Sequence, residues 1–209
     1  MTGLLLIGGG GHCKSAIDVI EAAGLTIVGV LDRPEAALNG VLGYPVLGDD
    51  EALPALVAQG HAVLVTIGQI KSASPRIRAF EAAQAAGAEM PYVVSPRAYV
   101  SRHATIGDGT LVLHGALVNA AARVGRNVIV NSLALIEHDA VVGDHCHVAT
   151  GARVNGSVTI GAGSFIGSGA VLKNGVCIGA GSVIGAGSVI RHDVPEGGFV
   201  LGTTQRNQV

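Results

Sequence analysis

The chain of 209 residues has no tryptophan, three phenylalanines and three tyrosines. Any core must therefore be built from aliphatic side chains. Charge is sparse at 13%, the net charge is −2, and no long basic run occurs. Neither a nucleic-acid footprint nor an attraction to anionic lipid follows from such a balance. No apolar stretch reaches the roughly 18–20 residues of a membrane-spanning helix. The opening MTGLLLIGGGG lacks a basic n-region and a cleavage site, so it reads as a buried strand rather than a leader. Cys13, Cys146 and Cys177 are odd in number and show no C-x-x-C spacing, which argues against a disulfide framework. These absences predict a soluble protein of a reducing cytoplasm.

What the chain does have is glycine, 32 residues of it, and a period of six. Every sixth residue from Val100 to Ile190 is Val, Ile or Leu, and four residues after each stands something small or β-branched, from Ala104 to Val194. A helix needs a period near 3.6 and a half-buried strand a period of 2, so neither accounts for six. The hexad is the unit of a parallel β-helix. Three hexads close a triangular coil, residues 18 apart stack, and the aliphatic residue points into the prism. Cys146 falls at a corner position, as a small buried residue.

The first ninety-odd residues read differently. Leu4–Ile7, Leu25–Leu31, Ala62–Ile67 and Met90–Val94 read as strands. His12–Ala23, Asp50–Gln59 (with Asp49 as cap) and Pro75–Ala86 read as helices. The alternation predicts a small Rossmann-like parallel sheet. The expected organisation is a nucleotide- or sugar-binding βαβ domain over residues 1–95, an all-β left-handed parallel β-helix over 96–195, and a tail over 196–209.

Two places carry chemistry. Gly8-Gly9-Gly10-Gly11-His12 follows the first strand and opens a helix, where backbone N–H groups attract a phosphate. Cys13 stands where a dinucleotide fingerprint needs its third glycine, so a full NAD site is not expected. Asp32, at the end of the second strand, suits a ribose hydroxyl or a tight turn. The second place is Glu137-His138-Asp139 with His145-x-His147. His138 stacks between Ala120 and Gly156, two small neighbours that leave a slot beside an exposed imidazole, which is what a general base needs. His147 stacks between Ile129 and Phe165. No two of these histidines lie 18 or 36 apart, as metal ligands on stacked coils would, so no metal is expected.

Ile7-Gly8-Gly9-Gly10-Gly11-His12, Val30-Leu31-Asp32, Thr66-Ile67-Gly68, Val130-Asn131 and Ile136-Glu137-His138-Asp139, with Gly143-Asp144 and His147-Val148, resemble the NeuD/PglD type of bacterial sugar acyltransferase along almost the whole chain. The resemblance implies acetyl-CoA as donor and a homotrimer of left-handed β-helices. It makes His138 the general base, with Asp139 or Glu137 in support. It places Asn131 near the acceptor group and Gly8, Gly10, Gly11, His12, Asp32 and Gly68 around the nucleotide or sugar. His147, Gly156, Ser168 and Gly185 are the candidates for coenzyme contact, with a backbone N–H near Gly156 for the oxyanion. The expected reaction is N-acetylation of a nucleotide-linked amino sugar for surface glycans. O-acetylation of a sialic-type sugar acid is the alternative, and a non-catalytic nucleotide-binding solenoid the further one. The chain departs from the family pattern at Arg33, at Gln69-Ile70, and in the tail Gly202-Thr203-Thr204-Gln205-Arg206.

Overall fold

The computed structural model describes residues 3–33, 40–69 and 72–202. Strand β1 (Leu4–Ile7) runs into helix α1 (Gly11–Ala22), then β2 (Ile27–Leu31), β3 (Val46–Gly48), a 3-10 turn (Asp50–Ala52), α2 (Leu53–Ala58), β4 (Ala62–Val65) and α3 (Ser74–Ala85). The sheet is parallel, in the order β3-β2-β1-β4. All four residues of β1 and all of β4 are buried, as expected for strands covered on both faces. Asp49 does cap its turn, accepting from the Glu51 N–H at 3.0 Å, and Pro75 lies in the first turn of α3.

The fourth strand differs from expectation. Val93–Val94 pairs not with this sheet but with Leu111–Val112, eighteen residues on. The sheet's own fourth strand is β3, a three-residue segment after Pro45 that is too short to announce itself by periodicity.

From Val93 onward the chain winds as a left-handed parallel β-helix. Two-residue strands stack at a spacing of eighteen on three faces. The first face, seven strands from Val93–Val94 to Phe199–Val200, carries the βαβ unit and is called here the docking face. The second, six strands from Tyr99–Val100 to Val189–Ile190, presents Tyr99, Leu117, Leu135, Val171 and Val189 outward, with the exposed Arg153 between Leu135 and Val171, and is called the apolar face after the other five. The third, five strands from Thr105–Ile106 to Cys177–Ile178, presents Thr105, Arg123, Val141, Thr159 and Cys177 and is the polar face. Phe199–Val200 lies beyond Pro195, where the last coil was expected to end. It pairs with Val183–Ile184 at a spacing of sixteen, because the final turn, through Pro195, is two residues shorter.

The second position of each strand points inward. Val112, Val118, Val130, Ile136, Val148, Val154, Ile166, Leu172 and Ile184 are fully buried in one column of aliphatic side chains. Each contributes roughly 1.5–3 kcal/mol by burial. At the corners one residue in six takes positive φ, at 109, 115, 121 and on to 187. Glycine fills every one of them after residue 160. Before that, Ala121, Asn127, Leu133, Asp139, His145 and Ser157 occupy the left-handed conformation, which costs a non-glycine residue of order 1 kcal/mol or more. The side chains retained there at that cost recur below.

Helix α1 is wedged between the sheet and the docking face. Ala16, Ile17, Val19 and Ile20 share one core with Leu111, Leu113 and Ile129 of the prism. Phe80 and Ala83 of α3 cover the opposite side of the sheet with Leu53 of α2. His114 reaches from the prism to Asp18 of α1 at 2.8 Å and receives the Ser95 hydroxyl on its other ring nitrogen.

Replacing Ile160, 1% exposed in the column, by Ala should destabilise the fold by about 2–5 kcal/mol. Thr159→Ala, on the outward position of the same strand, should stay within about 0.5 kcal/mol. Urea unfolding of the two variants measures the contrast.

Candidate active site

Two sets of residues stand on opposite sides of the prism. The first surrounds a cavity of about 910 Å³ between the glycine loop and the docking face, lined by Gly8, Gly10, Gly11, His12, Asp32, Gly68, Asn131 and His147, and by Ser15, Arg33, Thr66, Ile67, Gln69, Ser132 and Thr150. All the sequence-predicted acceptor residues meet here. The loop is built for the task at each glycine differently. Gly8 has φ +99°, and a Cβ there would lie 2.4 Å from Ile67 Cγ1. A Cβ on Gly10 or Gly11 would meet nothing within 4 Å, so these two leave space facing the cavity, at the start of α1. Asp32 accepts from the Gly9 N–H at 2.7 Å through Oδ2 and from the Arg33 N–H through Oδ1. Its carboxylate thus fastens the glycine loop to the end of β2.

His12 and His147 face each other across the cavity, ring centroids 6.1 Å apart. Burial and the Arg76 charge push His12 down to about 4. Burial, then His12 and Arg76, push His147 down to about 3. Both rings are neutral at working pH, and the buried Nε2 of His12 has no hydrogen-bond partner among the described residues. His147 contacts the Gln69 carbonyl through Nδ1 at 3.2 Å and the Asn131 amide through Nε2 at 3.2 Å, and packs edge-on against Phe165. His147 therefore lines this cavity with Asn131, and within one chain it does not lie beside Gly156.

The second set lies on the edge between the apolar and polar faces. Residues 137–139 form a corner, not a strand, so the rule that neighbours point opposite ways does not hold for them. His138 projects into solvent, its side chain 59% exposed, and its Nδ1 lies 2.8 Å from Asp139 Oδ2. Asp139 sits at φ 60°, one of the corner positions where glycine is the default. Glu137 turns away, accepting from the His138 N–H at 3.1 Å and from Asn119 Nδ2 at 2.8 Å. Asp139 is thus the carboxylate that orients the ring, and its hydrogen bond and charge hold the imidazole pKa above its ordinary value. A carboxylate on Nδ1–H leaves Nε2 as the free base. That nitrogen looks into the slot above Gly156, where a Cβ would come within 2.8 Å of it.

Ser168 and Gly185 stand on neither side of that slot. They belong to the edge between the docking and apolar faces, where Ser132, Thr150 and Ser168 stack through the Gly151 N–H to Ser132 and the Gly169 N–H to Thr150 bonds. Within one chain, then, the coenzyme candidates are split between two edges. Two residues the sequence reading passed over complete the acceptor side. One is Arg76, fully buried, which an amphipathic helix pattern presents as one more solvated charge. The other is Gln69, visible beforehand only as a departure. Among the described residues no group of three His, Cys, Asp or Glu side chains could hold a metal. Residues 203–206 of the tail and Ile70 lie outside the described residues.

Stacked hexads with an edge imidazole, joined to a glycine-loop cavity, define a hexapeptide-repeat acyltransferase. The model of the bacterial transferase hexapeptide family matches residues 157–192, and that of the PglD N-terminal domain matches residues 3–79. A mutant of perosamine N-acetyltransferase from Caulobacter crescentus, in complex with CoA and GDP-perosamine, is 34% identical over 96% of this chain and 93% of that one, with a TM-score of 0.90. The acetyltransferase domain of PglB from Neisseria gonorrhoeae, in complex with acetyl coenzyme A, is 33% identical over 96% of both chains, with a TM-score of 0.88. WeeI from Acinetobacter baumannii is 25% identical over 97% of both, with a TM-score of 0.85. No curated protein sequence matches the chain. The chain belongs to the PglD-type bacterial sugar acetyltransferases.

Asp139→Asn should lower the pH at which activity rises. The carboxylate holds the His138 pKa up, so its loss lets the ring deprotonate at lower pH while leaving it less well oriented. The acid limb of the kcat/KM–pH profile shifts downward and the plateau falls; an unmoved limb would separate Asp139 from the base.

The two neutral histidines predict acid lability. Their folded pKa values lie below the unfolded value of about 6.5, so their burial destabilises the fold progressively as pH falls through that value. Tm should drop between pH 6.5 and 4, and less so in His147→Gln, as read by scanning calorimetry.

Proposed function

We propose that the protein transfers the acetyl group of acetyl-CoA to the amine of a nucleotide-linked amino sugar, in a site shared between neighbouring copies of a homotrimer. The observation that carries this reading is the position of His138 on the vertex opposite the face that bears the acceptor cavity. A base and an acceptor on opposite sides of one chain cannot react there.

A threefold assembly removes the difficulty. The apolar face lies between the His138 edge and the Ser132 edge. It exposes Tyr99 (58%) and Val189 (59%), and Leu133 on the adjoining edge is 68% exposed at φ 60°. Exposed apolar surface of this kind marks a contact with another chain. Turning the apolar faces toward a threefold axis sets the His138 edge of each copy beside the Ser132 edge of the next. That contact joins His138 and Gly156 to the neighbour's Asn131 and Thr150, and to Ser168 and Gly185, which line a groove for the pantetheine. The relatives' complexes with CoA, acetyl coenzyme A and GDP-perosamine support both ligands.

In that site the glycine loop and the α1 N-terminus hold the diphosphate. The amine attacks the thioester carbonyl, forming a C–N bond. His138 Nε2 takes the proton from nitrogen, Asp139 stabilises the imidazolium, and a backbone N–H near Gly156 steadies the oxyanion. The C–S bond breaks, and the thiolate leaves with the proton returned from His138. Unpaired Cys13, Cys146 and Cys177 suit the reducing cytoplasm in which such a donor is used.

His138→Ala should lower kcat at least about 10²-fold with Tm unchanged, assayed by CoA release with GDP- and UDP-linked amino sugars. Free sialic-type acids should be inert, and activity on them alone would replace N- by O-transfer. Gly10→Val should fill the acceptor cavity. Co-expressed, the two inactive variants should regain activity in mixed oligomers; a mixture that stays inactive places the whole site within one chain.

A further inference from the structure

Arg76 is a cation in the wrong place. It is 0% exposed, and burial pushes its pKa down to about 10. Uncompensated buried charge costs several kcal/mol by order of magnitude. None of its hydrogen-bond partners is a carboxylate. Nη1 donates to the Asn127 carbonyl, Nη2 to the His145 carbonyl at 2.6 Å and to Gln69 Oε1 at 2.8 Å, and Nε has no partner among the described residues. Asn127 and His145 are stacked corners of neighbouring coils, both in the left-handed conformation. The prism thus turns two carbonyls toward a guanidinium on α3, and the third group held is Gln69, at the wall of the cavity.

From Gln69 the chain of hydrogen bonds runs into the cavity with only one consistent direction. A carbonyl can only accept, so the Gln69 carbonyl makes His147 Nδ1 the protonated nitrogen. Neutral His147 then has its lone pair on Nε2, where the Asn131 amide nitrogen donates to it. Asn131 Oδ1 is already taken by the Ser132 N–H at 2.7 Å. The amide of Asn131 is thereby oriented, with its second N–H left for the ligand.

We infer that Arg76 is a positioning residue for the acceptor: by gripping Gln69 it fixes the Nδ1–H tautomer of His147 and, through it, turns an Asn131 N–H donor into the cavity. The inference rests on the reading of that cavity as the acceptor site. It assigns a role to Gln69, where the family pattern has Asn. The Gln69 side chain spans from Arg76 to the Gly163 carbonyl, 3.2 Å from its Nε2, so it is clamped from both sides and its own carbonyl cannot swing away from His147. At 3% exposed, Gln69 acts on the cavity chiefly through the groups it holds.

The full-length protein, labelled with 15N at histidine, tests the relay, with His147→Gln supplying the assignment. In the wild type the His147 ring should show protonated Nδ1 and unprotonated Nε2. Gln69→Leu keeps the volume and removes the grip; it should populate the Nε2–H tautomer and raise the acceptor KM by about 5- to 30-fold, one to two kcal/mol, with the acetyl-CoA KM within about twofold. Gln69→Glu, still an acceptor for Arg76, should restore the Nδ1–H form. Arg76→Lys should behave like Gln69→Leu, and serves where Arg76→Met does not fold. A tautomer unchanged in Gln69→Leu, or both KM values moving together with Tm, would reduce Arg76 to a structural latch. A wild type without acetyl transfer would sink the functional reading alone, since the ring-nitrogen shifts would still decide the relay.

Discussion

The constraint on which the molecule depends is the eighteen-residue register of the parallel ladders. Each coil hydrogen-bonds to the next through two-residue strands, and the inward aliphatic residue of each strand lands on the one eighteen before it. Once that register is set, every outward position is set too. The corner at His138 must stand above Ala120 and below Gly156, and the edge that bears Ser132 must bear Thr150 and Ser168. A slip of one residue would turn the buried column out to solvent, so functional side chains can be carried on this scaffold without altering it.

The same rigidity distributes the site over the prism. A triangular cross-section separates one edge from the face opposite, and the βαβ unit is fixed to that face by an apolar core through Leu111, Leu113 and Ile129. Among the described residues no element spans from the imidazole to the glycine loop. The corners show where the demands of function and backbone conflict. Asp139, His145, Asn127 and Leu133 occupy the left-handed positions that glycine fills elsewhere. Asp139 holds the His138 ring and Leu133 stands beside the apolar face. Asn127 and His145 receive Arg76. Each is a side chain kept against a backbone preference.

The period of six made the prism legible, because a solenoid repeats its burial pattern in a form that neither helix nor strand can produce. The glycine loop was legible because it follows a buried strand and opens a helix, and a Cβ at Gly10 or Gly11 would meet nothing within 4 Å. The slot beside His138 could be read from the spacing to Ala120 and Gly156. Less was visible where contacts cross between the two units. The coil pattern placed His147 between Ile129 and Phe165, but not its enclosure with His12, Gln69 and Asn131 by the glycine loop and the 66–69 loop. Val93–Val94 carried the apolar signal of a sheet strand and joined the prism instead. Arg76 had no signal at all, since a buried arginine and a solvated one look alike on a helix.

Fold, coil register and the exposed imidazole were determined by the sequence itself, because each follows from local periodicity and from stacking at a fixed interval. The tertiary structure decided which carboxylate serves His138, where His147 belongs and what Arg76 grips. Those depend on the angle at which a corner turns and on how one unit docks against another, and both are set by packing between residues far apart in the chain.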